Sequence, residues 1–294
     1  MRLELSNDAR MRCDTMRLVV NVDDVGLHPA VQRAVEACAA EGIVTSASVL
    51  ANGPCVRAAR SLTGIGLGAH LNLLRGEPLS PKHEIASLVR SDGCLLGNYS
   101  RLFARYLSGG LNLVEVELEW DRQLVRLREL GLPLTHLDSE KHIHCWPRLM
   151  PIACRLAERH GLRWVRRTVE QVSPLQWHVS DWKTRLLGHW SRFHRPYARV
   201  LWPDAVWGVS DQGTLLSPDR FRNYLPRIAT ADVTELIVHP GSPRANDGPL
   251  PSTFGPLRVR ELWEPEFRSL LDPRWRDVLR EHHIELVHYG QCRV

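Results

Sequence analysis

The stretch RLVVNVDDVGLHPAVQRAVEACAAEG, residues 17–42, contains the unit from which the fold is built. Residues 17–22 predict a buried β-strand, because β-branched residues favour strands and an apolar run suits a strand covered on both faces. Residues 29–41 begin with proline and carry apolar residues at helical spacing, which predicts an amphipathic helix that Gly42 ends. The stretch is therefore a strand, a polar loop and a helix.

The rest of the chain repeats this unit. Six further apolar segments predict strands, at residues 45–50, 66–73, 134–138, 162–165, 235–238 and 284–287. Helical patterns lie between or beside them, at residues 55–62, 112–130, 147–160 and 274–281. Short apolar strands that alternate with helices are typical of a parallel sheet. We therefore predict an α/β protein, a distorted or incomplete (β/α) barrel in a single domain at 17–294, after a leader at 1–16 that we expect to be disordered.

The composition excludes several classes of protein. Hydrophobic residues make up 44% and charged residues 24% of the 294 residues, which is typical of a globular chain rather than a disordered or fibrous one. No apolar run approaches the roughly 18–20 residues of a membrane span, and the N-terminus lacks the apolar stretch of a secretory signal. The seven cysteines show no metal-knuckle spacing, so we expect reduced thiols and a cytoplasmic protein. The net charge of +5 is weak support for any partner, and we predict no nucleic-acid binding.

Four polar clusters share one position in the predicted fold, at or just after the end of a strand. They are the Asp23–Asp24 pair, His70, the run from His136 to His144, and His239. In a parallel barrel the carboxyl ends of all strands point to one rim, where the loops build the active site. Clusters that are distant in the sequence would therefore meet in space.

Two of these clusters also have an ordinary structural explanation. An Asp–Asp pair after a strand suits a solvated turn or a helix cap, and His70 suits a hydrogen-bonded core histidine. The run His136-Leu-Asp138-Ser-Glu140-Lys-His142-Ile-His144 is harder to explain as a solvated face, because three histidines and two carboxylates fall within nine residues. We favour a cation or catalytic site there, and Zn²⁺, Mn²⁺, Co²⁺ and Mg²⁺ all suit these ligand types.

Together the clusters indicate metal-assisted hydrolysis. A bound cation would polarise a carbonyl group and lower the pKa of a water molecule. One aspartate of the pair would accept the proton of that water, and a histidine would protonate the leaving group. The sequence contains neither a glycine-rich phosphate loop nor a GxSxG nucleophile elbow.

At these residues the sequence resembles the YdjC/ChbG/HpnK family of carbohydrate deacetylases, over about residues 17–290. The matching motifs are Val-Asp-Asp-Val-Gly, Gly-Ile-Val-Thr-Ser-Ala-Ser, Gly-Ala-His-Leu-Asn-Leu, His-Leu-Asp-Ser-Glu-Lys-His-Ile-His and His-Pro-Gly, at 22–26, 42–48, 68–73, 136–144 and 239–241. The resemblance implies a distorted (β/α) barrel that removes an acetyl group from an N-acetylated sugar.

The resemblance also implies a metal site, with one departure. The ligands would be Asp24, His70 and Glu140, where the family usually has a histidine at the third position. A carboxylate can replace histidine as a ligand, and the harder site would favour Mg²⁺ or Mn²⁺ over Zn²⁺ or Co²⁺. His142 or His144 is the alternative third ligand.

Further roles follow by analogy with the family. Asp23 would be the general base and His239 the general acid. The residues expected to bind the substrate are Asn72, Asp138, His142, His144 and Arg260.

Residues 163–199 combine positive charge with tryptophan. Eight arginine or lysine residues face only two carboxylates there, and the four tryptophans are Trp164, Trp177, Trp182 and Trp190. Such a segment suits an anionic membrane surface or a lipid phosphate, and tryptophan also stacks on sugar rings. An irregular insertion, set at about residues 163–205, whose tryptophans pack as core explains the segment equally well.

The basic segment favours a lipid-linked substrate. We expect an N-acetylhexosamine glycan such as an undecaprenyl-phosphate sugar, met by peripheral contact with the inner membrane face; chito-oligosaccharides and hopanoid-linked sugars are alternatives. A metal-dependent phosphodiesterase is a further hypothesis that the missing phosphate motifs oppose. A non-catalytic membrane-associated binding protein is another, opposed by the intact aspartates and histidines. We also expect a homodimer.

Overall fold

The computed structural model describes residues 15–171, 179–192, 194, 197–255 and 260–292. The predicted leader lies outside these residues except for its last two, and the first strand begins at Met16, one residue before the predicted boundary. The basic segment is described in part: Trp177 lies outside, and within residues 179–192 the side chains are described from Thr184 to Ser191.

The described strands form one curled parallel sheet. They are β1 (Met16–Val25), β2 (Ser46–Val49), β3 (Gly66–Leu71), β4 (Leu134–Ser139), β5 (Trp164–Val165), β6 (Ala205–Trp207), β7 (Val233–Val238) and β8 (Ile284–Leu286). Seven follow the order β5-β4-β3-β2-β1-β7-β6, and β8 pairs with the start of β1. Isolated parallel bridges from Trp164 to Leu201 and from Glu170 to Val206 lie near the two outer strands. The sheet is thus a half-barrel, which confirms the predicted α/β class and distorted barrel.

Helices flank the sheet. They are α1 (Pro29–Ala40), α2 (Tyr99–Leu107), α3 (Leu113–Glu129), α4 (Met150–Arg159), α5 (Val179–Arg192), α6 (Pro218–Tyr224), α7 (Arg260–Leu270) and α8 (Arg274–Glu281). The segment predicted as a helix at 55–62 is a 3-10 helix, Val56–Ser61. No helix in the described part of the chain has both the length and the apolarity needed to cross a bilayer.

The first helix shows how the local sequence sets the fold. His28 takes the N-cap position of α1 and its Nδ1 accepts a hydrogen bond from the Ala30 amide at 3.1 Å, ahead of Pro29 in the first turn. After the helix, a Cβ on Gly42 would lie 2.5 Å from the carbonyl oxygen of Leu270. Gly42 is therefore required by the close approach of α7 as well as by the end of α1.

Strand β1 divides the interior into two parts. Alternate residues of a strand point to opposite faces. Leu18, Val20 and Val22 pack in the main core, which also holds side chains of the flanking helices. Val19 packs with Trp164 and Tyr289 in a second apolar cluster. The polar residues at the end of β1 therefore lie next to buried apolar side chains.

Candidate active site

The guanidinium group of Arg166, directly after β5, holds three carboxylates together inside the barrel. It donates to Asp23 through both terminal nitrogens, at 2.7 and 2.8 Å, and to Glu235 Oε1 at 2.7 and 2.9 Å. Its Nη2 also lies 2.7 Å from Asp138 Oδ2. Burial alone would lower the pKa of Arg166, but the carboxylates raise it well above its ordinary value. A buried charge that is paired in this way fixes the orientation of its partners.

Asp138 orients the imidazole ring of His70, its neighbour across the β3–β4 pair. His70 Nδ1 lies 2.6 Å from Asp138 Oδ1, and Ser48 Oγ donates to the other oxygen at 2.5 Å. Because a carboxylate only accepts, Nδ1 carries the hydrogen, and Nε2 faces Asp24 Oδ1 at 3.5 Å. Burial would lower the pKa of His70, but the negative charges of Asp138 and Asp23 raise it well above its ordinary value. The Nε2 position is therefore electrostatically attractive to a proton or a cation.

Asp24 lies within the last residues of β1, where the pairing with β2 is irregular. Its φ of 67° lies in the left-handed region, which is costly for a non-glycine residue. Burial would raise the pKa of Asp24, but its hydrogen bond to His70 and the charges of His70 and His239 lower it to about 2. The strained backbone therefore presents an ionised carboxylate to the histidine.

Glu140 is buried at the same rim and is paired with Arg75, from the loop after β3. Arg75 Nε donates to Glu140 Oε1 at 2.6 Å. Burial and the charge of Asp24 raise the pKa of Glu140, and Arg75 opposes both. The two residues that follow, Lys141 and His142, have φ values of 55° and 56°. This turn is thus a second site of left-handed backbone beside the cluster.

His239 directly follows β7 and lies beside Asp23. Its Nε2 is 3.9 Å from Asp23 Oδ2, and 14% of its side chain is exposed. Its backbone amide donates to the carboxylate of Glu266, on α7. His239 is thus held by its backbone, while its ring borders both Asp23 and the solvent.

The structure brings most of the predicted site together. Within the described residues, Asp23, His70 and Asp138 each offer a ligand atom within 4.8 Å of the others, and this buried group could bind a divalent metal ion. Of the predicted ligands, His70 belongs to this group, Asp24 Oδ1 lies 3.5 Å from its Nε2, and Glu140 lies outside the group and is paired with Arg75.

The residues expected to bind substrate occupy different environments. Asn72 is buried and shapes the loop after β3: its Oδ1 accepts the amide of Leu74 at 2.7 Å. His144 is buried between Ser139 Oγ at 2.6 Å and the carbonyl oxygen of Arg166 at 2.9 Å. Asp138, described above, is fully buried. These contacts favour a supporting role for all three, and direct contact with substrate stays a prediction.

The other two predicted substrate residues lie nearer the surface. Arg260 is exposed at the start of α7, with its guanidinium carbon 5.4 Å from the centre of the Trp263 ring. His142 is 9% exposed, and its Nδ1 has no hydrogen-bond partner among the described residues. Their role in binding substrate also stays a prediction.

Arg166 is the functional residue that sequence reasoning missed. The charge of residues 163–199 groups Arg166 with a basic surface, but its side chain is 1% exposed and belongs to the site. Trp164, from the same segment, is 4% exposed and packs on Tyr289 with ring centres 5.4 Å apart. The interpretation of these residues as an exposed surface is therefore wrong, because β5 turns both side chains inward. The signal available was the position of Arg166 at the end of a predicted strand.

Comparisons with known proteins agree with this geometry. The family model described as YdjC-like protein matches residues 17–281. The chain is 30% identical to a carbohydrate deacetylase of Homo sapiens, with 92% of this chain and 89% of that protein covered. It is 29% identical to a carbohydrate deacetylase of Geobacillus stearothermophilus, with 93% and 96% covered. A chitooligosaccharide deacetylase of Proteus mirabilis is 35% identical over 150 residues, which are 49% of this chain and 56% of that protein.

A solved structure shows the same fold. It comes from Enterococcus faecalis V583 and carries the description of a cellobiose-phosphate cleavage protein; the TM-score is 0.73 at 22% identity, over 95% of this chain and 100% of that one. That likeness concerns the fold alone, whereas the family model spans the strands and loops that carry the site. This chain belongs to the YdjC family.

Proposed function

We propose that this protein is a metal-dependent hydrolase that removes the acetyl group from an N-acetylhexosamine-containing glycan. The observation that carries the proposal is the meeting of Asp23, Asp24, His70 and His239 at one rim. Amide hydrolysis needs an activated water, a polarised carbonyl and a proton for the leaving nitrogen. The four side chains fit those tasks, and the names of the aligned relatives point to the same reaction.

The donor set fits a divalent cation, and we propose Asp24, His70 and Glu140 as its ligands. The tighter group contains Asp23 and Asp138, but both oxygens of each already accept hydrogen bonds, from Arg166, Asn21, Ser48 or His70, whereas Arg75 bonds a single oxygen of Glu140. His70 Nε2 instead faces Asp24 while Asp138 holds Nδ1, the usual arrangement around a metal-bound histidine. The oxygen-rich set favours Mg²⁺ or Mn²⁺. When bound, the cation would polarise the acetyl carbonyl and make a water more acidic.

Asp23 is the proposed general base. Arg166 donates to both of its oxygens, and Asn21 Nδ2 donates to Oδ1 at 2.9 Å. These bonds fix the carboxylate and occupy both lone pairs of Oδ1, which leaves one lone pair on Oδ2 to accept a proton. His239, 3.9 Å away, is the proposed acid that protonates the leaving amine.

A lipid-linked substrate and peripheral membrane contact remain part of the proposal. They are supported by Arg163, Arg185 and Arg199, which are exposed. Arg166 no longer supports them, because it is buried. A chito-oligosaccharide substrate is supported by the name of the Proteus mirabilis relative.

Acetate release tests the function directly. The purified protein, depleted of metal and reloaded with Mg²⁺ or Mn²⁺, is incubated with free, nucleotide-linked and lipid-linked N-acetylhexosamines and with chito-oligosaccharides. We expect release from at least one class, lost on chelation and in Asp23→Asn. Absence of release from every class by the metal-loaded protein would contradict the proposal.

A further inference from the structure

The Arg75–Glu140 pair is the part of the site that is particular to this chain. Glu140 is 6% exposed, and the 2.6 Å contact from Arg75 Nε is a charge-assisted hydrogen bond. Sequence resemblance places Glu140 where the family usually has a neutral histidine. A buried carboxylate therefore occupies that position, paired with the positively charged side chain of Arg75.

Hydrogen bonds hold both the guanidinium group and the backbone of Arg75. Its Nη1 donates to the carbonyl oxygen of Phe254 at 3.0 Å. Its own carbonyl oxygen accepts from Asn72 Nδ2 at 2.8 Å and from Asn52 Nδ2 at 2.9 Å. The guanidinium group is thus fixed by its backbone and by the loop that follows β7, and it can hold Glu140 in one orientation.

The charges of the proposed ligands explain why Glu140 would need a positively charged partner such as Arg75. Asp24, a neutral His70 and a neutral third histidine would carry a total charge of −1. Glu140 is buried, and in that third place it would make the total −2. Arg75 returns the total to −1, and its bond to Oε1 leaves the carboxylate further lone pairs for a cation.

We propose that Arg75 and Glu140 act as one unit that takes the place of a neutral histidine ligand. Glu140 supplies the oxygen, and Arg75 is the positioning residue that orients and balances it. The inference rests on the proposed ligand set, and it adds that Arg75 acts on the metal through Glu140 alone.

Metal affinity of the chelator-treated protein tests the unit without any substrate. Calorimetric titration with Mn²⁺ compares the wild type with Arg75→Gln, Arg75→Lys, Glu140→His and the double variant Arg75→Gln/Glu140→His. Arg75→Gln should weaken binding about 10–100-fold, the usual cost of losing a partner that orients a ligand. Arg75→Lys should fall between, because it keeps the charge and loses the planar fork.

The double variant distinguishes this role from simple stabilisation of the loop. In the Glu140→His protein Arg75 has no carboxylate to balance, so its removal should leave Mn²⁺ affinity unchanged or tighter. The Co²⁺ absorption spectrum, which reports ligand type, should change in Glu140→His and stay constant when Arg75→Gln is added. Arg155→Gln, which removes an exposed arginine from α4, is the matched control and should have no effect.

The outcomes separate the inference from the function on which it rests. Equal weakening by Arg75→Gln in both backgrounds, tighter binding in the wild-type background, or no change there would each overturn the inference. If Arg75→Gln does not fold, the Lys variant and the double variant still give the comparison. Unchanged Mn²⁺ affinity in Glu140→Ala would instead reject Glu140 as a ligand, and the function would then rest on His142 or His144.

Discussion

Arginine and carboxylate side chains meet in two regions of this molecule under opposite conditions. In the barrel, Arg166 and its three carboxylate partners have side-chain exposures of 0–3%. On the outer layer, Arg155 and Arg159 of α4 pair with Glu117 of α3 at 2.7 and 2.8 Å, and the two arginines are 49% and 53% exposed. The contact distances are nearly the same, so distance does not separate the two regions.

The two regions differ in how far their charged side chains are exposed to solvent. An exposed ion pair exchanges water contacts for protein contacts in a screened medium and contributes little. A buried one loses the hydration of both charges and is retained only when its bonds are well satisfied. A costly buried cluster that stands next to strained backbone, as Arg166 stands near Asp24, is typical of a functional site. The exposed pairs of Arg155 and Arg159 with Glu117, which we call the outer network, need no such explanation.

The largest expected effect is on folding stability. Arg166→Gln leaves three buried carboxylates without their cation, so the free energy of unfolding should fall by about 3–5 kcal/mol. Arg155→Gln makes the same chemical change at the surface and should cost at most about 1 kcal/mol. Urea unfolding of the two variants measures both. Similar losses in the two variants would remove the distinction between the regions.

The next largest effect is on catalysis, and it distinguishes the role of Asp23 from that of Asp24. Asp23→Asn should retain bound metal and lose activity by about 10²–10⁴-fold, the usual cost of losing a general base. Asp24→Asn should lose the metal as well. Metal analysis of the purified variants and acetate release distinguish the two roles. Equal loss of metal in both would reject the assignment. Asp121 on α3 is a partner of the exposed Arg159 at 3.2 Å, so Asp121→Asn is the control that should change neither metal content nor activity.

A smaller effect concerns the exposed remainder of the basic segment. Changing Arg163, Arg185 and Arg199 to Gln should weaken binding to anionic vesicles, since each basic residue near such a surface contributes about 1 kcal/mol. The binding should also fall as salt is raised. Arg268, Arg274 and Arg280, exposed on α7 and α8, give a control variant of equal charge. If the wild-type protein does not bind anionic vesicles at low salt, the proposed membrane contact is contradicted.

Much of the fold can be predicted because most of its strands are buried on both faces. Such strands are short and largely apolar, and the sequence pattern predicts seven of the eight described strands, among them β8, whose middle residue is exposed. The sequence pattern does not predict strand β6, because β6 begins at Ala205, at the end of the stretch interpreted as an irregular insertion. The meeting of Asp23, His70, Asp138 and His239 followed from the parallel arrangement alone.

Side-chain partners could not be predicted in the same way. Arg75 and Glu140 are 65 positions apart, and Arg166 and Asp23 are 143 apart, so no local pattern relates them. Arg166 was grouped with its charged neighbours because composition over a segment does not say which side chains face inward. The pairing of individual charges depends on how the sheet curls, and that is set by the whole domain.

The smallest expected effect is the pH dependence of the outer network. The hydrogen bond from Arg155, with a further one from Arg159, lowers the pKa of Glu117 from its ordinary value of 4.5. A carboxylate with a lowered pKa stabilises the fold above its unfolded pKa, and the contribution is lost as pH falls through the folded value. Glu117→Gln should therefore be less stable than the wild type by under about 1 kcal/mol at pH 7, and the gap should close toward pH 3. Urea unfolding at both pH values measures the gap, and 1 M salt should narrow it at pH 7. A gap of several kcal/mol that survives salt would mean that Glu117 is shielded from water as Arg166 is, and the contrast between the two regions would then lie in charge number rather than in solvent.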